Sequence, residues 1–226
     1  MKTLAYSCFL GGLLGLSAPV SAADARPLLY EVSFKGNVVA TQTVSIAESG
    51  GRTTIATSFE AELPVFIALQ PYAEKLAVTF RADGTVERLE GLRRDGPPVS
   101  VLGELQEDGR LNVVRSDFNG TSTNVIARAD YDFNSLVLYG TAPSDFLPTN
   151  RPVRVLSVAE GRVVPVSIQE ITESDTFERQ HLVSRHLVWT EGVHISHSWH
   201  PERFSDLPRR YIRQTDNGEF TFRLLR

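Results

Sequence analysis

The sequence predicts a mainly β protein built as one long antiparallel meander, and three observations support this prediction. Stretches rich in Val, Thr, Ile, Phe and Tyr recur from Leu28 onward. Turns separate them, often at Asp-Gly or Asn-Gly, which tolerate the positive φ that a two-residue hairpin loop needs. Apolar and polar residues alternate within them, as at Tyr30, Val32 and Phe34. A sheet built from this many sequential hairpins must curl or close to protect its edge strands. We therefore expect a curved sheet, half-barrel or barrel with one or two short helices.

Turn residues divide the chain into its strands. The first three strands are joined at Gly36-Asn37 and at Ser49-Gly50-Gly51. The later hairpins are expected to turn at Asp83-Gly84, Asp108-Gly109, Asn119-Gly120, Glu160-Gly161, Glu191-Gly192 and Asp216-Asn217-Gly218.

Two stretches break this rhythm, Pro64 to Tyr72 and Tyr131 to Pro152. We expect the first to be a short helix or an apolar crossing that ends at Pro71. In the second, Phe133 to Tyr139 has the length of two helical turns and precedes a proline-rich loop. Each stretch is either a connection between parts of the sheet or a cover across its concave face. A cover would leave a groove or cavity lined by Leu, Val, Phe and Tyr.

The N-terminal residues predict export. Lys2 supplies a positive charge, Leu4 to Leu16 is apolar, and Val20-Ser21-Ala22 provides the small residues of a cleavage site. We therefore expect residues 1–22 to be a signal peptide and residues 23–226 to form a single all-β domain, periplasmic or secreted. The apolar run is shorter than the ~20 residues that span a bilayer. No later segment approaches that length without a charge, so the processed chain is expected to be soluble.

Charge and cysteine content narrow the chemistry further. The 226-residue chain has a formal net charge of −4. It therefore lacks the basic field that attracts nucleic acid, which we do not expect as a partner. The single cysteine, Cys8, lies in the predicted signal peptide. The processed chain is expected to have no disulfide, no thiolate nucleophile and no cysteine-ligated zinc.

All five histidines lie in the stretch "HLVSRHLVWTEGVHISHSWH", which begins at His181. If Glu191-Gly192 is a two-residue turn, His186 pairs with His197 on the more apolar face, and both are expected to point inward. One interpretation is a structural pair that is hydrogen-bonded across the strands. Adjacent imidazoles would also resist double protonation, which would make ligand release depend on pH.

The histidine spacing does not by itself favour a metal site. His194 and His197 lie on opposite faces of a strand, and His194 and His200 are roughly 20 Å apart at a rise of ~3.3 Å per residue. His186 and His197 supply only two possible ligands, and zinc usually takes at least three from the protein. A metal site would therefore need a carboxylate from elsewhere in the chain.

Motifs of known catalytic chemistry are absent from the sequence. It contains no Gly-x-Ser-x-Gly elbow, phosphate-binding glycine loop, His-Glu-x-x-His helix or dinucleotide fingerprint. Asp130, Asp132 and Asp145 could act as acid and base, but aspartates in such segments more often cap turns. We therefore expect no catalytic residues and no cofactor.

Both ends of the chain resemble uncharacterised periplasmic β-rich families. In "SHSWHPERFSDLPRRYIRQTDNGEFTFRLL", a tryptophan-containing strand leads through Leu-Pro-x-Arg into a final strand that follows a glycine turn. The matching positions are Trp199, Leu207, Pro208, Arg210, Gly218 and Phe220 to Leu225. The N-terminal "LLYEVSFKGNVVATQTVSI" is similar to the opening strand pair of these families. The resemblance implies a shape similar to the curved-sheet lipoprotein carriers of the envelope, a fold that an enzyme of pigment biosynthesis also uses, so it does not establish a function.

These observations predict a non-enzymatic envelope protein that binds a lipophilic ligand or an envelope partner in its curved sheet. The candidate ligand-binding residues are Tyr30, Phe34, His186, Trp189, His197 and Trp199, with Phe59 and Phe80 as further lining residues. The alternative is a small-molecule enzyme or a metal-binding protein that uses His186 and His197 with a carboxylate.

Overall fold

A computed structural model describes residues 27–65, 68–139, 152–177, 180–191, 194–201, 208–215 and 218–225. In these ranges the chain forms strands and two short 3-10 helices, and none of the helices there has the length and apolarity to cross a bilayer. The predicted signal peptide, residues 1–22, and the candidate acid or base Asp145 lie outside the described residues.

The strands follow one another along the chain, most of them joined by tight turns. They are β1 (Leu28–Phe34), β2 (Asn37–Ser49), β3 (Arg52–Val65), β4 (Ala68–Arg81), β5 (Val86–Asp95), β6 (Pro98–Leu105), β7 (Arg110–Asp117), β8 (Gly120–Ala127), β9 (Phe133–Asn134), β10 (Pro152–Ser157), β11 (Arg162–Phe177), β12 (Gln180–Glu191), β13 (His194–Pro201), β14 (Arg210–Thr215) and β15 (Gly218–Leu224). The 3-10 helices, Arg128–Asp130 and Ser135–Tyr139, flank β9.

All fifteen strands belong to one curved sheet that is not closed into a barrel, which confirms the predicted fold class. The strand order is β8-β7-β6-β5-β4-β3-β2-β1-β15-β14-β13-β12-β11-β10-β9. Neighbouring strands are antiparallel except for the short parallel pair β9 and β10. The first and last strands pair with each other, from Tyr30 opposite Leu224 to Phe34 opposite Phe220. The two ends of the described chain therefore meet in the middle of the sheet.

The described residues of the stretch from Pro64 to Tyr72, which are 64–65 and 68–72, are not the predicted helix or crossing but the end of β3 and the start of β4. Pro64 and Pro71 lie where their strands have only one neighbour among the described strands. Pairing of β3 with β2 stops at Ser58, and pairing of β4 with β5 starts at Tyr72. Proline is tolerated in such edge positions because the open side of the strand has no ladder hydrogen bond to lose.

The segment that follows β8 crosses the concave face of the sheet and packs into it. Leu136 and Tyr139 of the second 3-10 helix join the main core, which also contains Tyr30. The predicted helical turns from Phe133 to Tyr139 are thus present in the last five residues, as a 3-10 helix. Of the two alternatives for this stretch, a connection or a cover, its described residues fit a cover, and they fill the interior instead of leaving an apolar cavity beneath them.

The turn between β10 and β11 packs against the inner face of β6 and β7. Gly161 has φ of +64°, and a Cβ at this position would lie 2.6 Å from Val101 Cγ1 and 2.9 Å from Val113 Cγ1. Glu160 in the same turn forms an ion pair with Arg115 of β7. Only glycine fits this close approach. The contact holds β10 and β11, near one end of the curved sheet, against β6 and β7, near the other.

Candidate functional site

Strands β2 and β3 separate partway along their length. Their antiparallel register stops at Thr43 opposite Ser58, although both strands continue beyond that pair. Among the described residues, 37–42 pair only with β1, and 59–65 pair only with β4. The two strands therefore present facing edges, and we call the space between residues 37–42 and 59–65 the β2–β3 cleft.

A β-bulge explains one side of the cleft. The register between β1 and β2 pairs Val32 with Ala40 and Ser33 with Val38, which leaves Val39 as an extra residue. A bulge increases the local twist and bends its strand. The start of β2 consequently turns away from β3.

Aromatic packing draws β3 and β4 away from the start of β2 and over the concave face. Phe59 of β3 stacks on Tyr72 of β4, with ring centroids 5.2 Å apart. The Phe59 ring also lies 6.0 Å from that of Phe220 and 5.7 Å from that of Phe222, both on β15 and both edge-on. Because two strands separate β3 from β15 in the sheet order, these contacts require the β3–β4 hairpin to fold over the concave face.

A buried ion pair holds the same hairpin in place. Arg213 Nη1, on β14, donates to the two carboxylate oxygens of Glu74, on β4, at 2.8 and 3.0 Å. Arg213 Nη2 donates to Tyr72 Oη at 3.1 Å, and that hydroxyl donates to Glu74 at 3.2 Å. The side chain of Glu74 is 4% exposed and that of Arg213 is 28% exposed. The Arg213 guanidinium also lies 5.7 and 5.6 Å from the ring centroids of Phe220 and Phe222.

The surroundings of this ion pair shift the pKa values of Arg213 and Tyr72 upward. Burial favours the neutral form of Arg213, but the opposing charge of Glu74 prevails and raises the pKa of the guanidinium. Burial raises the pKa of Tyr72, against the opposing effect of Arg213. Arg213 therefore stays charged and Tyr72 stays protonated near neutral pH. The pair acts as a clamp between β4 and β14.

Three tyrosines extend this polar layer through the core. Tyr211 Oη donates to Gln42 Oε1 at 2.6 Å, and the rings of Tyr139 and Tyr30 meet that of Tyr211 edge-on at 5.7 and 5.8 Å. Tyr30 Oη donates to the Pro208 carbonyl oxygen at 2.9 Å. Burial raises the pKa of Tyr139 to about 12 and also raises those of Tyr30 and Tyr211. Tyr30, a predicted ligand contact, is therefore a hydrogen-bonded core residue.

A cavity of about 650 Å³ lies in the β2–β3 cleft. Val38 and Val39 form one wall, and outward-facing side chains of β3, β4 and β5 form its floor, among them Glu60, Pro71 and Leu92. The volume falls within the ~300–1,000 Å³ that is typical of binding pockets. The cleft is thus large enough to hold a ligand or a short peptide segment.

The charges in the floor of the cleft balance one another. Lys75 Nζ lies 2.8 Å from Glu60 Oε1, and its hydrogen bond lowers the pKa of Glu60. Glu62 and Arg94 add one charge of each sign. With two carboxylates and two cations, the floor offers a charged ligand no net attraction. It suits a neutral ligand that can form hydrogen bonds.

Phe34, Phe80 and Trp189, which are further predicted ligand contacts, belong to the two cores of the sheet. Phe34 is 0% exposed, and Phe80 is partly buried against the same core. Trp189 packs against the second core, beneath β10 to β12, and its Nε1 donates to Ser198 Oγ at 3.0 Å. None of these side chains lines the cavity in the β2–β3 cleft.

The histidine hairpin has a different register from the predicted one. Glu191 pairs with His194, whereas a turn at Glu191-Gly192 would pair Thr190 with Val193, and Gly192 and Val193 lie outside the described residues. His186 is opposite Trp199, and the predicted pairing of His186 with His197 is wrong by two positions. The two imidazoles still meet diagonally, with His186 Nε2 and His197 Nδ1 3.0 Å apart.

The histidine pair also points to the opposite face from the one predicted. Leu187 is 0% exposed and belongs to the second core, together with Ile168 of the neighbouring strand. Residues on either side of Leu187 face away from that core. The pair was expected inside because apolar residues such as Ile195 share its face, but Ile195 is 39% exposed. Contacts of Leu187 and Trp189 with the second core decide the orientation of this strand.

On the outer face the histidines form part of a row of stacked groups. The ring of His186, which is 5% exposed, stacks on Trp199 with centroids 4.4 Å apart, and the Arg210 guanidinium lies 4.8 Å from the Trp199 ring. In the part of the chain that the structure describes, no three His, Cys, Asp or Glu side chains are grouped to hold a metal ion. A hydrogen bond between His186 and His197 requires at least one neutral imidazole. The geometry supports a structural pair.

The two described candidate aspartates cap backbone groups. Asp130 Oδ2 accepts a hydrogen bond from the Ala127 amide at 2.7 Å, and Asp132 Oδ2 accepts one from the Arg154 amide at 2.8 Å. These contacts agree with the capping role that is usual for aspartate in such segments.

The β2–β3 cleft was not predicted from the sequence. One signal was available, because Pro64 and Pro71 interrupt otherwise β-rich stretches, and proline within a strand marks an unpaired edge. We interpreted the prolines as the ends of a crossing instead. The bulge at Val39 has no glycine to mark it.

In comparisons with known proteins, no family model, no curated protein and no solved structure matches this chain. The resemblance of the two chain ends to periplasmic families therefore stays a prediction.

Proposed function

We propose that this is a non-enzymatic binding protein of the periplasm that takes up an extended segment of an envelope partner in the β2–β3 cleft. The observation that carries the proposal is the pair of facing strand edges, residues 37–42 and 59–65, beside a cavity of about 650 Å³. Export to the periplasm rests on the features of residues 1–22 and on the family resemblance.

A peptide strand matches the cleft because strand edges recognise backbone. An unpaired edge offers alternating N–H and C=O groups, and an extended peptide can satisfy them by adding as a further strand. Each edge has about six residues, which corresponds to a peptide about 20 Å long at a rise of ~3.3 Å per residue. Side chains of the peptide would contact Val38 and Val39 on one wall and the nearest outward-facing side chains of β3, such as Glu60, on the other.

An acyl chain fits the cleft less well than a peptide does. It would cover the strand edges without bonding to them, and an unsatisfied buried polar group costs about 1–3 kcal/mol. The floor also carries four charged side chains, Glu60, Glu62, Lys75 and Arg94. The concave face, where a lipophilic ligand was expected, is packed with core residues in the described part of the chain.

The test uses a fluorescently labelled, end-capped hexapeptide of alternating valine and threonine as the probe. The chain starting at Ala23 is expected to raise the fluorescence anisotropy of this peptide in a saturable manner. Val38→Arg places a long cation in the cleft, and we expect it to weaken binding about tenfold or more, which is about 1.4 kcal/mol. Val38 is 63% exposed, so the variant should fold normally.

Two controls separate the proposal from its alternatives. Ile171→Arg introduces the same cation at a 37% exposed position on β11 and should leave binding unchanged. The same hexapeptide with N-methylated backbone amides has no N–H groups to donate and should not bind. Binding of the methylated peptide with equal affinity would show that the cleft selects apolar groups instead of a strand. Absence of binding by both peptides would also contradict the proposal.

A further inference from the structure

Strand β8 ends the sheet, and its backbone edge pairs with no described strand, although the Asn124 side chain donates to the Gly161 carbonyl oxygen at 3.2 Å. In the strand order of the described residues, β8 pairs with β7 on one side and with no strand on the other. The opposite end of the sheet differs, since β9 consists only of Phe133 and Asn134, each 2% exposed. β8 is therefore the longer and more exposed of the two terminal edges.

The backbone of β8 shows which residues face outward. The Ala127 amide donates to the Asp130 carboxylate at 2.7 Å and so points away from β7. Since the direction of N–H and C=O groups alternates along a strand, those of Thr121, Thr123 and Val125 point away from β7 as well. The side chains of these three residues are exposed on the outer face.

This edge lacks the features that usually prevent strand pairing. Natural edge strands are commonly protected by charged residues, especially lysine, or by proline. Gly120–Ala127 contains neither a charged residue nor a proline. Thr121, Thr123 and Val125, whose backbone N–H and C=O groups point away from β7, all have β-branched side chains, which favour strands. Val125 is 59% exposed, and Phe118 in the adjoining turn is 76% exposed.

We infer that β8 is a self-association edge, through which two copies of this chain pair antiparallel about a twofold axis at Thr123. In that register Thr123 of one copy is opposite Thr123 of the other, and Thr121 is opposite Val125. The axis gives one Thr123–Thr123 pair and two equivalent Thr121–Val125 pairs. Each of the three exchanges two backbone hydrogen bonds, as hydrogen-bonded antiparallel pairs do. The edge is self-complementary because it brings β-branched residues together and places no like charges opposite each other.

The inference rests on a different part of the sheet from the proposed peptide site. β8 lies five strands beyond β3 in the strand order, and none of its residues lines the β2–β3 cleft. Failure of either proposal therefore leaves the other standing.

Sedimentation equilibrium of the chain starting at Ala23, across a range of concentrations, tests the pairing. The wild type should approach twice the monomer mass as concentration rises. Thr123→Lys and Thr123→Glu each place like charges opposite each other across the axis, and each variant alone should remain at the monomer mass. An equimolar mixture of the two should recover the doubled mass, because lysine then faces glutamate. Ser100→Lys, at an exposed position of β6 two strands from the edge, is the matched control and should associate like the wild type.

Each other outcome overturns the inference. A wild type that stays monomeric at all concentrations excludes self-pairing and leaves the edge to a strand of another protein. A dimer that persists in both charged variants uses another surface. Loss of the dimer without recovery in the mixture excludes the register centred on Thr123.

Discussion

Replacing Arg213 with methionine should destabilise the protein strongly, because it leaves the Glu74 carboxylate without its partner in the core. The Glu74 side chain is 4% exposed and bonds to Arg213 through both carboxylate oxygens. Removal of one partner of a buried ion pair typically costs about 3–5 kcal/mol. Loss of the guanidinium contacts with Phe220 and Phe222 adds about 0.5–1 kcal/mol each. We therefore expect Arg213→Met to lower the free energy of unfolding by at least about 4 kcal/mol.

The reverse change should cost less because the remaining group is better solvated. Glu74→Gln leaves the Arg213 side chain, 28% exposed, with an amide oxygen that still accepts one hydrogen bond. A lost hydrogen bond to a charged group is worth about 1.5–3 kcal/mol. The double variant should lose less than the sum of the two single losses, by about 1–3 kcal/mol, because the residues are in contact.

Equilibrium unfolding in urea, followed by tryptophan fluorescence, measures all four free energies of the cycle. Glu62→Gln, on an exposed carboxylate of the same hairpin, is the control and should change stability little. If Arg213→Met lowered the free energy of unfolding no more than Glu74→Gln does, the result would contradict the deeper burial of Glu74. Strictly additive losses would show that the two side chains do not form the pair that folds the β3–β4 hairpin inward.

The remaining predictions concern the tyrosines and the close approach at Gly161. Burial raises the pKa values of Tyr30, Tyr72, Tyr131, Tyr139 and Tyr211 above the ordinary 10.0. The native state therefore holds these protons more tightly than the unfolded state, so stability that is complete below pH 10.0 should fall as pH rises towards about 12, by about 3 kcal/mol for Tyr139 alone. Tyrosinate absorbance should rise in one step with unfolding, and ionisation of most tyrosines in the folded protein would contradict this prediction. Gly161→Ala should cost about 2–4 kcal/mol in urea unfolding, since its Cβ would collide with Val101. Gly109→Ala shares the positive φ but has open space around it, and it should cost only about 1 kcal/mol; equal losses would show that the β10–β11 turn does not pack as described.

The fold class could be predicted because it depends on local signals. Alternation of apolar residues and turn residues marks each hairpin, and sequential hairpins form neighbouring strands of one sheet. The pairing of β1 with β15 joins residues far apart in sequence and has no such signal. In the histidine hairpin the local signal of Glu191-Gly192 predicted the wrong register, because Glu191 pairs with His194.

The β2–β3 cleft could not be predicted because it results from contacts between distant strands. Phe59 and Tyr72 alternate like ordinary core residues, and only their contacts with Phe220 and Arg213 draw the hairpin over the interior. The candidate role of His186 and His197 in ligand binding depended on a pair that faces inward. His186 and His197 instead stack on the outer face of the sheet, on the side away from the two cores.

Backbone hydrogen exchange of the two cleft edges tests the central claim most directly. In the free protein, amides within residues 38–42 and 59–63 that point into the cleft should exchange much faster than those of the paired residues 43–49 and 52–58, since they lack a strand partner. Saturation with the valine–threonine hexapeptide should slow exchange at both cleft edges and leave the paired residues unchanged. Protection of both edges in the free protein, or a bound peptide that slows neither edge, would contradict the assignment of the β2–β3 cleft as the binding site.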